Sequence, residues 1–196
     1  SSVSSCSVCP EGYQCAQATV NPSRCSKGTY CPEGASNETM CGLGEYCNEE
    51  GMASPLVCPS AYYCPYGTTT PIACSQGTYC VKGSSSPELC PLGYKASDES
   101  YNSQLMMSNF SRACEECPEG TYGDDEDRLV CDPCTPGYVC LGGTIRSDPT
   151  SEENHKGFKC QPGYYCPEGS SEQIPCPVGT YNPDYGKANV TDCLPC

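Results

Sequence analysis

Twenty-two cysteines in 196 residues set the terms on which this chain can fold. Against them stand only 9 Val, 8 Leu, 3 Ile and 2 Phe, with no Trp. So little apolar side chain cannot offset the conformational entropy lost when the backbone is ordered. Cross-links can, because each short disulfide loop constrains the unfolded chain by roughly 2–3 kcal/mol in the chain-entropy view. Disulfides at this density persist in oxidising compartments, so the sequence predicts a secreted or cell-surface protein.

The net charge of −14 removes two further classes of function. Nucleic-acid phosphates demand clustered Lys and Arg, and an anionic lipid surface demands the same. No apolar run is long enough to span a bilayer. No signal-peptide pattern opens the chain, which therefore reads as a mature form or an internal fragment.

One phrase recurs along the chain: Cys, two residues, Gly, then Tyr within two positions. It begins at Cys9, Cys25, Cys41, Cys58, Cys74, Cys90, Cys117, Cys134, Cys160 and Cys176. The glycine is replaced once, by Ala61. Most repeats continue into a second phrase, Cys-x-x-Gly-Ser/Thr, as in Cys64-Pro65-Tyr66-Gly67-Thr68. A fixed period is the mark of an array in which each repeat packs on its neighbours. The stretches between cysteines are too short and too rich in Gly and Pro for helices. The fold expected is small, disulfide-rich and all-β or irregular: an elongated tandem array of short hairpins with little regular secondary structure. Its recurrent Tyr ring is expected to cover a disulfide or the next Tyr, with its hydroxyl in water.

Three repeats depart from the period. The one from Cys90 runs on to Cys114, the one from Cys117 to Cys131 and the one from Cys176 to Cys193. This divides the chain softly into regular repeats over 1–90, long-loop repeats over 90–134 and further repeats over 134–196, as part of a longer array. Leu105, Met106, Met107 and Phe110 make the first insertion the most apolar, and they are the candidate lateral contact between molecules.

Pairing consecutive cysteines offers two registers. One needs four C-x-x-C bridges, a spacing associated with redox-active rather than structural bonds. The other joins Cys9–Cys15, Cys25–Cys31, Cys41–Cys47, Cys58–Cys64, Cys74–Cys80, Cys90–Cys114, Cys117–Cys131, Cys134–Cys140, Cys160–Cys166 and Cys176–Cys193. It leaves Cys6 and Cys196 over. An interlaced scheme, such as Cys9–Cys25 with Cys15–Cys31, stays open at this point, because connectivity is not fixed by sequence.

The run CPEGTYGDDEDRLVCDPCTPGYVC resembles the ephrin-receptor-like cysteine-rich repeat. The runs GTYCPEGAS and GYYCPEGSSEQIPCPVGTY are similar to the tandem versions in large secreted or surface proteins of protists. A more distant similarity runs to tumour-necrosis-factor-receptor and furin-like modules. The resemblance implies all-β hairpin rods used as stalks, adhesive surfaces or filament parts, with bridges Cys117–Cys131 and Cys176–Cys193 across the Gly-Thr-Tyr hairpins. The many Cys-x5-Cys doublets depart from the vertebrate receptor form.

Chemistry-bearing residues are sparse. The single histidine, His155, lies in a polar run and reads as a surface residue, and no nucleophile or acid–base pair can be placed around it. The C-x-x-C pairs read as disulfide partners rather than zinc ligands. Asp124, Asp125, Glu126 and Asp127 lack EF-hand spacing and read as a solvated turn rather than a calcium site. The expectation is a non-enzymatic chain without a cofactor. It serves as a structural segment, with a ligand-binding receptor ectodomain or adhesion module as the alternative. Its expected partners are copies of itself or neighbouring segments of a larger chain.

Asn37, Asn109 and Asn189 head Asn-x-Ser/Thr acceptors, whereas Asn21 and Asn182 are each followed by Pro and do not. Deglycosylation of secreted material, followed by intact-mass analysis, is expected to remove N-linked glycan from the first three positions. Glycan at Asn21 or Asn182, or no mass change, would contradict the assignment.

Overall fold

The structure is a computed structural model and describes residues 6–97, 107–124 and 128–196. Its described residues form two-stranded antiparallel hairpins, one per repeat, with a short helix at Phe110–Ala113 and a 3-10 turn at Val190–Asp192. Each hairpin follows the same plan. The phrase Gly, or Ala61 once, turns the chain, the Tyr lies in a strand of two or three residues, and the return strand ends directly before the next Cys. Tyr13 thus pairs with Arg24, Tyr46 with Leu56 and Tyr164 with Pro175. Strands this short do not hold by themselves in water.

Ten disulfides close the repeats. Seven bridge cysteines six positions apart, such as Cys9–Cys15 and Cys160–Cys166. Cys90–Cys114, Cys117–Cys131 and Cys176–Cys193 span 24, 14 and 17 positions. Cys6 and Cys196 are unpaired and exposed. The sulfur is the core: Cys25, Cys31, Cys41, Cys47, Cys58, Cys64, Cys134, Cys140, Cys160 and Cys166 are completely buried. Leu43, Val57 and Leu89 lie largely in solvent.

Contacts divide the chain into two compact units: Ser1–Ser75 with Tyr79–Glu88 and Asn102–Asn109, and Gln76–Thr78 with Leu89–Tyr101 and Phe110–Cys196. Within each, the repeats are tied by a backbone ladder. The phrase Gly N–H donates to a carbonyl six residues into the next repeat, as Gly12 does to Cys31, Gly28 to Cys47 and Gly137 to Cys166. The second Gly of a repeat donates back to the first Cys carbonyl of the repeat before it, as Gly34 does to Cys9 and Gly169 to Cys134. The second Cys then donates to the residue after the next repeat's second Gly, as Cys47 does to Thr68 and Cys140 to Ser170.

The ladder brings backbones so close that the phrase position has no room for a side chain. A Cβ on Gly28 would stand 2.9 Å from the Gly67 carbonyl oxygen, and one on Gly12, Gly44, Gly93, Gly120 or Gly137 would press harder on the corresponding carbonyl two repeats ahead. These glycines also have φ near +80°, which L side chains resist. Gly163 shares the φ but meets nothing within 4 Å.

Gly44→Ala is therefore expected to combine backbone strain with overpacking against Gly83, a loss of about 3 kcal/mol. Gly163→Ala carries the strain alone, about 1 kcal/mol. Thermal unfolding of both disulfide-intact variants, followed by near-ultraviolet circular dichroism, measures the difference. Equal losses would show that the carbonyl contact at Gly44 has no energetic weight.

Candidate functional site

The three long repeats keep the ladder although each lacks a Cys six residues after its first. Ala96, Gly123 and Asn182 occupy that position, and all three are buried. The Gly93 N–H donates to the Gly123 carbonyl and the Gly163 N–H to the Asn182 carbonyl, the bond that Cys31 accepts from Gly12. Asn182 uses its side chain as well, donating from Nδ2 to the Tyr164 carbonyl at 2.8 Å. In the second unit the Cys90 carbonyl takes its bond from Arg128 Nε at 3.1 Å, in place of a glycine N–H. Counting six residues from every first cysteine would have exposed these three positions in the sequence.

The residue before each first cysteine forms a second recurrent feature. Its side chain lies across a second-phrase glycine of the following repeat: Arg24 over Gly51, Met40 by Gly67, Val57 over Gly83, Glu116 by Gly143, Pro133 over Gly169 and Lys159 by Gly186. These side chains are exposed at their outer surface. The row holds basic, apolar, acidic and cyclic side chains alike.

Phrase tyrosines are half-buried except Tyr181, which is 49 % exposed. Tyr62 packs against the Cys74–Cys80 bridge and Tyr164 against Cys160–Cys166, as expected of the phrase ring, while other phrase tyrosines find partners within their own hairpin. Arg24 Nε donates to the Tyr13 hydroxyl at 3.1 Å and its guanidinium lies over the ring. The Tyr94 ring meets Phe110 edge-on, with centroids 5.2 Å apart. Tyr79 donates to the Glu88 carboxylate, which together with desolvation raises its pKa.

Asn37, Asn109 and Asn189 are exposed, as are Thr39, Ser111 and Thr191 that complete their acceptors. At Asn189 the backbone N–H donates to the Asp192 carboxylate at 2.9 Å, which holds the 3-10 turn beside it. Asn182, by contrast, is built into the fold. Thr68 and Ser84, which begin the polar runs TTTP and SSSP, are buried and donate to Pro65 and Val81 carbonyls.

The apolar insertion is turned the other way from the lateral contact expected of it. Met107 is 7 % exposed and packs with Ala61, Cys74 and Cys80, and Phe110 lies against Tyr94. Met107 is thus buried within the molecule, which corrects its assignment as an intermolecular contact, and Phe110 is half-buried against Tyr94. Leu105 and Met106 lie outside the described residues, as do Asp125, Glu126 and Asp127; Asp124 is exposed. His155 Nδ1 accepts the Thr150 N–H at 3.2 Å and so fastens its own loop. Among the described residues, no group of three His, Cys, Asp or Glu side chains could hold a metal ion, and no helix is long and apolar enough to cross a membrane.

No protein-family model matches the sequence. Part of the chain is similar to extracellular proteins. It is 33% identical over 84 residues to human "Signal peptide, CUB and EGF-like domain-containing protein 2", covering 42% of this chain and 8% of that protein. It is 36% identical over 83 residues to rat "Sushi, von Willebrand factor type A, EGF and pentraxin domain-containing protein 1", covering 42% of this chain and 2% of that one. It is 37% identical over 70 residues to rat thyroglobulin, covering 36% of this chain and 2% of that protein. The matches thus span less than a tenth of each of these relatives. With ten disulfides and signal-peptide-bearing relatives, the segment is extracellular.

Glu38 offers a reading of how the hairpins respond to acid. Its carboxylate accepts the Ser26 N–H at 3.0 Å and the Thr29 hydroxyl at 3.3 Å, and the Ser26 bond leads in lowering its pKa below the ordinary 4.5. A lowered carboxylate contributes stability that is fully present above pH 4.5 and is lost as pH falls through its folded value. The Ser26 amide resonance is therefore expected to titrate below pH 4.5 and to stop doing so in Glu38→Gln. Titration persisting unchanged in that variant would assign the bond elsewhere.

Proposed function

We propose that this chain is a non-catalytic structural segment of a secreted or cell-surface glycoprotein, building a rod, stalk, filament or coat. Its repeats are closest in kind to ephrin-receptor-like cysteine-rich repeats. The ladder supports this reading. Each disulfide closes its own repeat while backbone polar groups tie that repeat to those beside it, so the architecture is one for repetition. The relatives, large proteins named for several extracellular domain types, are the company in which such a segment would act as a module. Its partners are further copies or neighbouring segments, and its modifications N-linked glycans.

A ligand-binding or adhesion module is the second reading. It is favoured by the exposed apolar side chains Met40, Leu56, Val57 and Ile72 on successive return strands.

Light scattering across a concentration series, with electron microscopy of native material, separates the two. The structural reading expects concentration-dependent association or an ordered assembly. A molecule that stays monomeric at every concentration and saturably binds an unrelated protein would replace it with the second reading.

A further inference from the structure

The phrase position in the repeat from Cys58 is Ala61, with φ 71° and no exposed surface. In neighbouring repeats a methyl group there would strike a glycine carbonyl two repeats ahead. For Ala61 that glycine does not exist, because the repeat from Cys90 has no second Cys-x-x-Gly phrase. Met107 stands there instead. Its side chain packs on Ala61 and the Cys74–Cys80 bridge, with Tyr62 and Tyr63 against the cluster. Its carbonyl accepts the Cys80 N–H at 2.9 Å, the bond that Thr68 accepts from Cys47 and Ser84 from Cys64. One methionine thus supplies a missing half-repeat, its main chain as a rung and its side chain as the plug.

We propose that Met107 is an oxidant-sensitive latch on the ladder. A thioether is the apolar side chain whose polarity one two-electron oxidation inverts. A peroxide delivers an oxygen atom to the sulfur lone pair; the S=O bond forms, the peroxide O–O bond breaks, and the peroxide leaves as water. The S=O dipole would replace apolar contact with Ala61, the bridged cysteines and the flanking Tyr62 and Tyr63 rings by a polar group that must win a donor from water or a phenol. The docked form is thereby disfavoured, and the Cys80 rung opens more often, while rungs that do not rest on Met107 keep their protection. This inference stands apart from the proposed structural role and is tested without reference to it.

The test treats the disulfide-intact chain with hydrogen peroxide and follows amide hydrogen exchange at Cys80, with Cys47 as the internal reference. Once mass spectrometry shows Met107 sulfoxide, Cys80 protection is expected to fall roughly tenfold or more, with Cys47 unchanged. Met107→Leu should hold Cys80 protection through the same treatment. Because Met40 is 44 % exposed and will also react, Met40→Leu serves as the second variant and should keep the full response. Undiminished Cys80 protection in the sulfoxide, an equal fall in Met107→Leu, loss of the response in Met40→Leu, or failure of Met107 to oxidise when Met40 is fully converted would each overturn the proposal.

Discussion

The close approach of one backbone to another is the constraint on which the fold depends. A phrase glycine at φ near +80° sets its Cα against the carbonyl of a glycine two repeats ahead. That fit allows the amide of the same residue to reach the next repeat at hydrogen-bond distance. Hairpins of two paired residues cannot supply such order themselves. They inherit it from a ladder that fixes where each turn must lie.

Sulfur then does what aliphatic side chains do in larger domains. Each bridge between cysteines six apart constrains the unfolded chain by about 2 kcal/mol in the chain-entropy model. Each also fills the small space between successive turns, where a Leu would not fit. Burial at the sixth position belongs to the backbone geometry and not to sulfur chemistry, since Ala96, Gly123 and Asn182 are buried there too. A repeat can lose its short bridge and take a longer one, Cys117–Cys131 for instance, while the rung at Gly123 persists.

Much of this was legible in the residues because the constraints recur. A glycine demanded by positive φ, and in most repeats by close approach, writes itself into the sequence at all phrase positions but Ala61. The register joining cysteines six apart was open to reading because its consecutive alternative required C-x-x-C bridges. The long repeats were harder. Periodicity marks what repeats, and a position held by Ala, Gly and Asn in turn carries no signature of its own. Met107 and Phe110 looked like surplus apolar surface because a thin array has no obvious interior. The interior of Met107 is the gap left by an absent half-repeat and that of Phe110 the flank of Tyr94, both properties of the third dimension. The Tyr register was plain, but its partners vary in residue and in place: Arg24 for Tyr13 sits on a return strand, and Phe110 for Tyr94 on the short helix.

The glycine ledges under Arg24, Met40, Val57, Glu116, Pro133 and Lys159 carry a different consequence. Folding information sits in the cysteines, the turns and the rungs, and these side chains lie outside all three. A basic, apolar, acidic or cyclic residue follows another along the row while the ladder beneath it stays the same. The outward row and the frame beneath it are thereby written in separate alphabets, so that the text of one can change while the other stays the same.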